Sequence, residues 1–89
     1  MNEYRFILYI AGQTTRSQRA VANLRRICQD ALAGQYYLRI IDVLEEPELA
    51  ERQKILATPT LIKEAPLPVR SLIGDLSDQA KVLAGLEIT

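Results

Sequence analysis

The chain has 89 residues and a mass of 10.0 kDa, with 11 basic and 11 acidic side chains and a formal net charge of zero. This length predicts one domain, residues 1–89, and the neutral charge gives no reason to expect nucleic acid or an anionic membrane as partner. The sequence contains no histidine and a single cysteine, which excludes Ser-His and Cys-His dyads, CxxC pairs and zinc fingers, so we predict no enzyme, no catalytic residue, no metal and no cofactor.

The first half of the chain predicts a strand, a helix and a second strand. Residues 6–10 are a continuous apolar run, as in strands that are buried on both faces. Either Thr15 or Ser17 is the expected N-cap of the helix, which ends near Gly34. Residues 36–44 form the second strand, so the three elements predict a right-handed βαβ unit with parallel strands. The apolar stripe of the helix comprises Ala20, Val21, Leu24, Ile27, Cys28, Ala31 and Leu32.

The second half of the chain carries local signals that disagree with one another. Residues 45–54 look like the start of a helix, with Pro47 in the first turn, but their apolar periodicity is poor. Residues 57–63 and 69–74 predict two short strands. A final helix is expected to contain Ala80, Val82, Leu83 and Leu86, although residues 82–88 alternate well enough to form a strand instead. The best single assignment is βαβαββα, an α/β fold with the order of a thioredoxin-like domain.

That order invites a redox interpretation, which the residues do not support. Redox members place a CxxC motif where the first strand turns into the first helix, and residues 12–17 contain no sulfur. Cys28 lies on the apolar stripe and is predicted to be a core residue. Pro59 precedes the predicted third strand, where thioredoxin-like proteins usually have a cis proline; an ordinary turn proline is the alternative. The acidic run Glu45, Glu46, Glu48 and Glu51 predicts a solvated helix start, with a partner-binding surface as the alternative.

Nothing in the sequence predicts contact with a membrane. The N-terminus lacks the basic-then-apolar layout of a secretory signal, and the apolar runs are far shorter than the roughly 20 residues of a membrane span. The arginines are scattered without interleaved aromatic residues, which argues against nucleic-acid binding. We therefore expect a cytoplasmic protein that acts through other proteins.

Several segments, in matching order and spacing, resemble the KaiB family of circadian clock proteins. The strings ILATPTL at 55–61 and IGDLSD at 73–78 are the most specific, and LYIAGQT at 8–14, IDVLEEPELA at 41–50 and PLPVR at 66–70 extend the resemblance over nearly the whole chain. The resemblance implies a fold-switching protein with two states. One is the thioredoxin-like βαβαββα state, and the other is a βαββααβ ground state that forms a tetramer or dimer. Residues 1–44 would be common to both states and residues 45–89 would refold.

The same resemblance implies a non-enzymatic regulator and its partners. In the thioredoxin-like state it would bind the N-terminal ATPase ring of a hexameric KaiC-type ATPase and modulate its phosphorylation cycle, with KaiA sequestered where KaiA exists. A SasA- or CikA-like histidine kinase would be a competitor or co-partner. Cyanobacterial clock members usually carry Lys-Asn in place of Glu45-Glu46, which weakens the expectation of KaiA. An adaptor in histidine-kinase or stress-response signalling, without circadian timing, is the alternative.

Two sets of residues follow from the resemblance. The partner-binding set is Arg19, Leu44, Glu45, Glu46, Pro47, Glu48, Leu49, Lys54 and Arg70. The fold-switch set is Tyr4, Pro59, Pro66, Pro68, Gly85 and Glu87.

Overall fold

The described part of the chain, residues 3–88 of a computed structural model, forms four strands and three helices. The order β-α-β-α-β-β-α is the thioredoxin-like order predicted from the sequence, and the strand alternative for residues 82–88 is not adopted. The elements are β1 (Tyr4–Ile10), α1 (Thr15–Leu32), β2 (Tyr36–Asp42), α2 (Pro47–Arg52), β3 (Thr60–Ala65), β4 (Arg70–Ile73) and α3 (Gln79–Gly85).

The strands form one mixed sheet in the order β2-β1-β3-β4. β1 and β2 are parallel, with Tyr4 opposite Tyr36 and Ile10 opposite Asp42, which confirms the predicted βαβ unit. β3 runs antiparallel to β1 and β4 runs antiparallel to β3. The predicted second strand was two residues too long, because the backbone turns after Asp42, where Glu45 and Glu46 both donate hydrogen bonds to the Asp42 carbonyl oxygen.

One face of the sheet carries the main core. Side chains alternate between faces along a strand, so the even-numbered residues of β1 share this face. These β1 side chains pack against the apolar stripe of α1, against α3 and against the residues that follow α3. The core consists of Phe6, Leu8, Ile10, Ala20, Leu24, Ile27, Cys28, Leu61, Leu76, Val82, Leu86 and Ile88. The buried stripe of α1 ends at Cys28, and Ala31, which was predicted to belong to it, is exposed.

The N-cap of α1 is Thr14, so both predicted caps were wrong. Thr14 has extended backbone angles, whereas Thr15 and Ser17 already lie within the helix and cannot cap it. The Thr14 hydroxyl oxygen accepts the backbone N–H of Ser17 at 3.1 Å. At the other end, Ala33 and Gly34 both have positive φ, which terminates the helix close to the predicted position.

The short helix α2 covers part of the second face of the sheet. Tyr9 and Ile41 are buried on this face, and a groove of about 430 Å³ next to α2 is lined by them together with Leu49 and Gln53. Pro59 forms a cis peptide bond with Thr58, as predicted, and Pro66 and Pro68 are also cis. Within residues 3–88, none of the helices combines the length and the apolar character needed to cross a membrane.

Candidate partner-binding site

Seven of the nine predicted partner-binding residues lie in one continuous stretch, residues 44–54, which we call the docking segment. It begins after β2 and contains α2. Leu44 is 70% exposed, and Glu45, Glu46, Pro47 and Glu48 after it are exposed as well. Ala50 is buried and Leu49 is half-buried, so α2 rests on the sheet through its inner side. The structure therefore presents an apolar side chain and several carboxylates on one anchored element.

Asp42, which is not among the residues predicted from the sequence, shapes the start of the docking segment. Its Oδ1 atom accepts the backbone N–H of Leu44 at 2.9 Å and that of Gly12 at 3.0 Å. Its carbonyl oxygen accepts the N–H groups of Glu45 and Glu46, both at 3.0 Å. A signal was present in the sequence, since an aspartate that ends a strand often bonds the backbone two residues on. The bond to Gly12 has no such local signature.

Gly12 and Leu44 bring two loops together at this point. Gly12 lies in the turn between β1 and α1 and has a φ of +72°, a conformation that glycine adopts without strain. A Cβ atom at this position would lie 3.2 Å from the Cδ1 atom of Leu44. The Leu44 side chain therefore rests against the Gly12 backbone, and a larger residue at position 12 would displace it.

The docking segment ends just after α2, at Lys54. This residue has a φ of +55° and donates its backbone N–H to the Glu51 carbonyl oxygen at 3.1 Å. Two residues later Leu56 is 94% exposed. An exposed leucine thus lies near each end of α2, Leu44 before it and Leu56 after it.

The charges of the docking segment are available for a partner. The segment contains four carboxylates and two cations. Among residues 3–88 the ion pairs within 4.0 Å are Arg5–Glu3 and Arg70–Glu87, and neither involves this segment. A partner that pairs with these carboxylates would therefore break no ion pair between the segment and the rest of residues 3–88.

The two remaining predicted residues, Arg19 and Arg70, lie elsewhere. Arg19 is exposed on α1, and its charge, after the hydrogen bonds from Ser77 and the charge of Arg16, contributes to lowering the pKa of Asp75 in the loop before α3. Arg70 starts β4, opposite Lys63 of β3, at the end of the sheet away from Leu44. Its Nε atom lies 2.8 Å from a carboxylate oxygen of Glu87. The structure does not bring either arginine into the docking segment.

The predicted fold-switch residues are distributed over several elements. Tyr4 begins β1 and stacks on Phe6, with ring centroids 6.1 Å apart. Gly85 is the last residue of α3, where an added Cβ would lie 2.9 Å from the Cδ2 atom of Leu72. The other members are the three cis prolines described above and Glu87, which has a φ of +54°. Their role in switching stays a prediction.

Cys28 is a core side chain, as predicted. It is 1% exposed, and burial raises the pKa of its thiol from 9.0 to about 11. A thiol with this pKa is almost entirely protonated at neutral pH and is a poor nucleophile. Within the described residues, no group of three or more acidic or sulfur side chains is placed to hold a metal ion.

Comparison with known proteins identifies the family. The family model of the KaiB domain matches residues 7–88. The chain belongs to the KaiB family. It is 54% identical over 88 residues to the circadian clock protein KaiB3 of Synechocystis sp., covering 99% of this chain and 86% of that protein. It is 57% identical over 81 residues to the circadian clock oscillator protein KaiB of Prochlorococcus marinus, covering 91% of this chain and 77% of the relative.

Solved structures confirm the thioredoxin-like fold of this KaiB-family chain. The N-terminal domain of Synechococcus elongatus SasA superposes with a TM-score of 0.76 and 27% identity, covering 97% of this chain and 85% of that domain. Mitochondrial thioredoxin 3 from Saccharomyces cerevisiae gives a TM-score of 0.73 at 18% identity, covering 98% of this chain and 79% of that one, a likeness of fold alone. The fold is thus the state that the sequence analysis associated with partner binding.

Proposed function

We propose that this KaiB-family chain is a non-enzymatic cytoplasmic regulator that binds the N-terminal ATPase ring of a KaiC-type ATPase and modulates its phosphorylation cycle. The observation that carries the proposal is the docking segment. It combines the exposed Leu44, charges that form no ion pair within residues 3–88 and an anchored helix in one continuous stretch. Binding energy in protein interfaces concentrates in a few such apolar anchors surrounded by polar residues.

A mixing experiment tests this proposal. The chain is combined with a hexameric KaiC-type ATPase and nucleotide, and complex formation is followed by size-exclusion chromatography with mass measurement. We expect a complex with the unmodified chain and at least about tenfold weaker binding for Leu44→Ser, as for other anchor residues. Absence of any complex after hours of incubation would contradict the proposal.

The chain offers a matched control for Leu44. Leu67 is 80% exposed, in the turn between β3 and β4 at the far end of the sheet. Leu67→Ser removes the same side chain from another exposed turn and is expected to leave binding within about twofold, with the mass of the free variant unchanged. Equal losses in both variants would contradict the assignment of binding to the docking segment.

Partners beyond the ATPase are part of the same proposal. The shared fold of this chain and the SasA N-terminal domain supports competition for one surface on the ATPase. We expect that domain to displace the chain from the complex. KaiA would be sequestered only where it is present, and the Glu45-Glu46 pair is the feature that argues against it.

The ground-state fold and its tetramer remain predictions. Mass measurement of the free chain tests them, because the thioredoxin-like state is expected as a 10.0 kDa monomer and the ground state as a tetramer or dimer. A partner that selects the thioredoxin-like monomer would then shift the population toward it.

A further inference from the structure

We propose that Asp42 is a positioning residue for the docking segment, and that its carboxylate sets the loop conformation in which Leu44 is presented to a partner. The consequence for binding rests on the function proposed above. The structural part, a link between two loops through one carboxylate oxygen, stands on the geometry alone.

Asp42 controls most of the backbone hydrogen bonds at the start of the docking segment. Its Oδ1 atom accepts the N–H of Leu44, and its carbonyl oxygen accepts those of Glu45 and Glu46. The N–H of Val43 is taken by the Ile10 carbonyl oxygen at 2.8 Å. Glu46, the N-cap of α2, makes no side-chain capping bond. The conformation between β2 and α2 is therefore set from Asp42 rather than from the helix cap.

The same oxygen fixes the surface against which Leu44 rests. Gly12 donates its N–H to Oδ1 of Asp42, although the two residues are 30 positions apart in the chain. The Gly12 backbone is also the close neighbour of the Leu44 side chain. Loss of the carboxylate would release both N–H groups at once, so the leucine and its support would move independently. Leu44 is 70% exposed, so little other packing restrains it.

The positioning role requires one oxygen atom that accepts both N–H groups. Two substitutions of Asp42 differ in whether they keep such an atom. An amide oxygen also has two lone pairs, so Asp42→Asn can still accept both N–H groups. Asp42→Ala removes the acceptor. A residue that merely contributed to stability would affect binding only by lowering the fraction of the chain in the thioredoxin-like state, and mass measurement of the free variant reports that fraction.

The first measurement needs no partner. Amide hydrogen exchange is recorded for the full chain, for Asp42→Ala and for Asp42→Asn under conditions in which all are folded. We expect Gly12 and Leu44 to exchange at least about tenfold faster in Asp42→Ala, with Ser77, whose N–H is bound by the Asp75 carboxylate in another loop, unchanged, and near-normal exchange in Asp42→Asn. Unchanged exchange at both amides would overturn the proposal. If Asp42→Ala does not fold, Asp42→Ser replaces it, because a hydroxyl on the shorter side chain cannot reach both N–H groups.

The second measurement is the affinity for the KaiC-type ATPase. We expect at least about tenfold weaker binding for Asp42→Ala and binding within about threefold for Asp42→Asn. The matched control is Asp75→Ala, since Asp75 accepts the N–H of Ser77 two residues on, at 3.1 Å, in the loop before α3. The control is expected to bind normally.

The outcomes separate the two proposals. Normal binding of Asp42→Ala to an ATPase that binds the unmodified chain would overturn the positioning role. If the unmodified chain does not bind the ATPase, the proposed function fails, while faster exchange at Gly12 and Leu44 would still support the link between the two loops.

Discussion

Lys63 is the residue whose environment differs most from what its chemistry favours. It lies on β3 on the same face as the core, is 1% exposed, and is opposite Arg70 in the sheet register. Among residues 3–88 no carboxylate oxygen lies within 4.0 Å of its ammonium group. Among residues 3–88 no buried side-chain nitrogen or oxygen lacks a hydrogen-bond partner, so the burial of Lys63 reflects the packing of its aliphatic stem on the core face.

Truncation of the Lys63 side chain removes this packing. We expect Lys63→Ala to lower the free energy of unfolding by about 1–3 kcal/mol, because the buried methylene groups of the stem are lost. Urea denaturation measures the change. Lys81→Ala, at an exposed position on α3, is the control and is expected to stay within about 0.5 kcal/mol of the unmodified chain. An unchanged stability in Lys63→Ala would contradict this contribution of the stem.

The buried thiol of Cys28 is expected to make the stability of the fold depend on pH in the alkaline range. Its pKa is about 11 in the folded chain and 9.0 in the reference state, so the folded state disfavours the thiolate. The free energy of unfolding keeps its full value below pH 9. It falls by up to about 3 kcal/mol as the pH rises from 9 to 11, because the thiol ionises in the unfolded chain before it ionises in the folded one. Unfolding free energies of the unmodified chain and of Cys28→Ala, compared across this range, isolate the thiol from lysine and tyrosine titration. Parallel pH profiles for the two proteins would contradict this result.

At the scale of elements, α3 shows how a local ambiguity is resolved. Residues 82–88 alternate well enough for a strand, yet the chain forms a helix that is capped at Asp78 and ends at Gly85. The Asp78 carboxylate accepts the N–H of Lys81 at 3.1 Å. Val82 and Leu86, four residues apart, are both buried, which is the helical spacing.

A seven-residue helix is marginal without its cap. We expect Asp78→Ala to lower the free energy of unfolding by about 1 kcal/mol, the usual value of an N-cap. Chemical denaturation measures the effect, with Lys81→Ala on the same helix as the control that keeps the cap. A change below about 0.3 kcal/mol in Asp78→Ala would show that tertiary packing alone holds α3.

The elements of the first half could be predicted from the sequence because their signals agree. The continuous apolar run of β1 and the stripe of α1 each indicate one structure, and both were found. The cap of α1 was missed by one residue, since Thr14, Thr15 and Ser17 are all good caps and only the backbone path selects among them. Within the candidate site, the docking segment could be predicted from the sequence because its residues are consecutive. The role of Asp42 could not, because it depends on an N–H that lies 30 residues earlier.

At the scale of the whole molecule, the two faces of the sheet are covered to different extents. One face is closed by α1 and α3 over the main core, and the short α2 covers only part of the other. The docking segment extends from the end of β2 across this less covered side, while Arg70 and Glu87 pair at the far end of the sheet. We therefore propose that a partner binds the docking segment on this less covered side of the sheet.

Hydrogen exchange of the chain, alone and saturated with a hexameric KaiC-type ATPase, measures which surface the partner covers. We expect slower exchange concentrated in residues 42–54 and in the turn around Gly12, with no change at the end of α1, residues 29–34. Protection elsewhere in the chain with none in residues 42–54 would contradict the proposal.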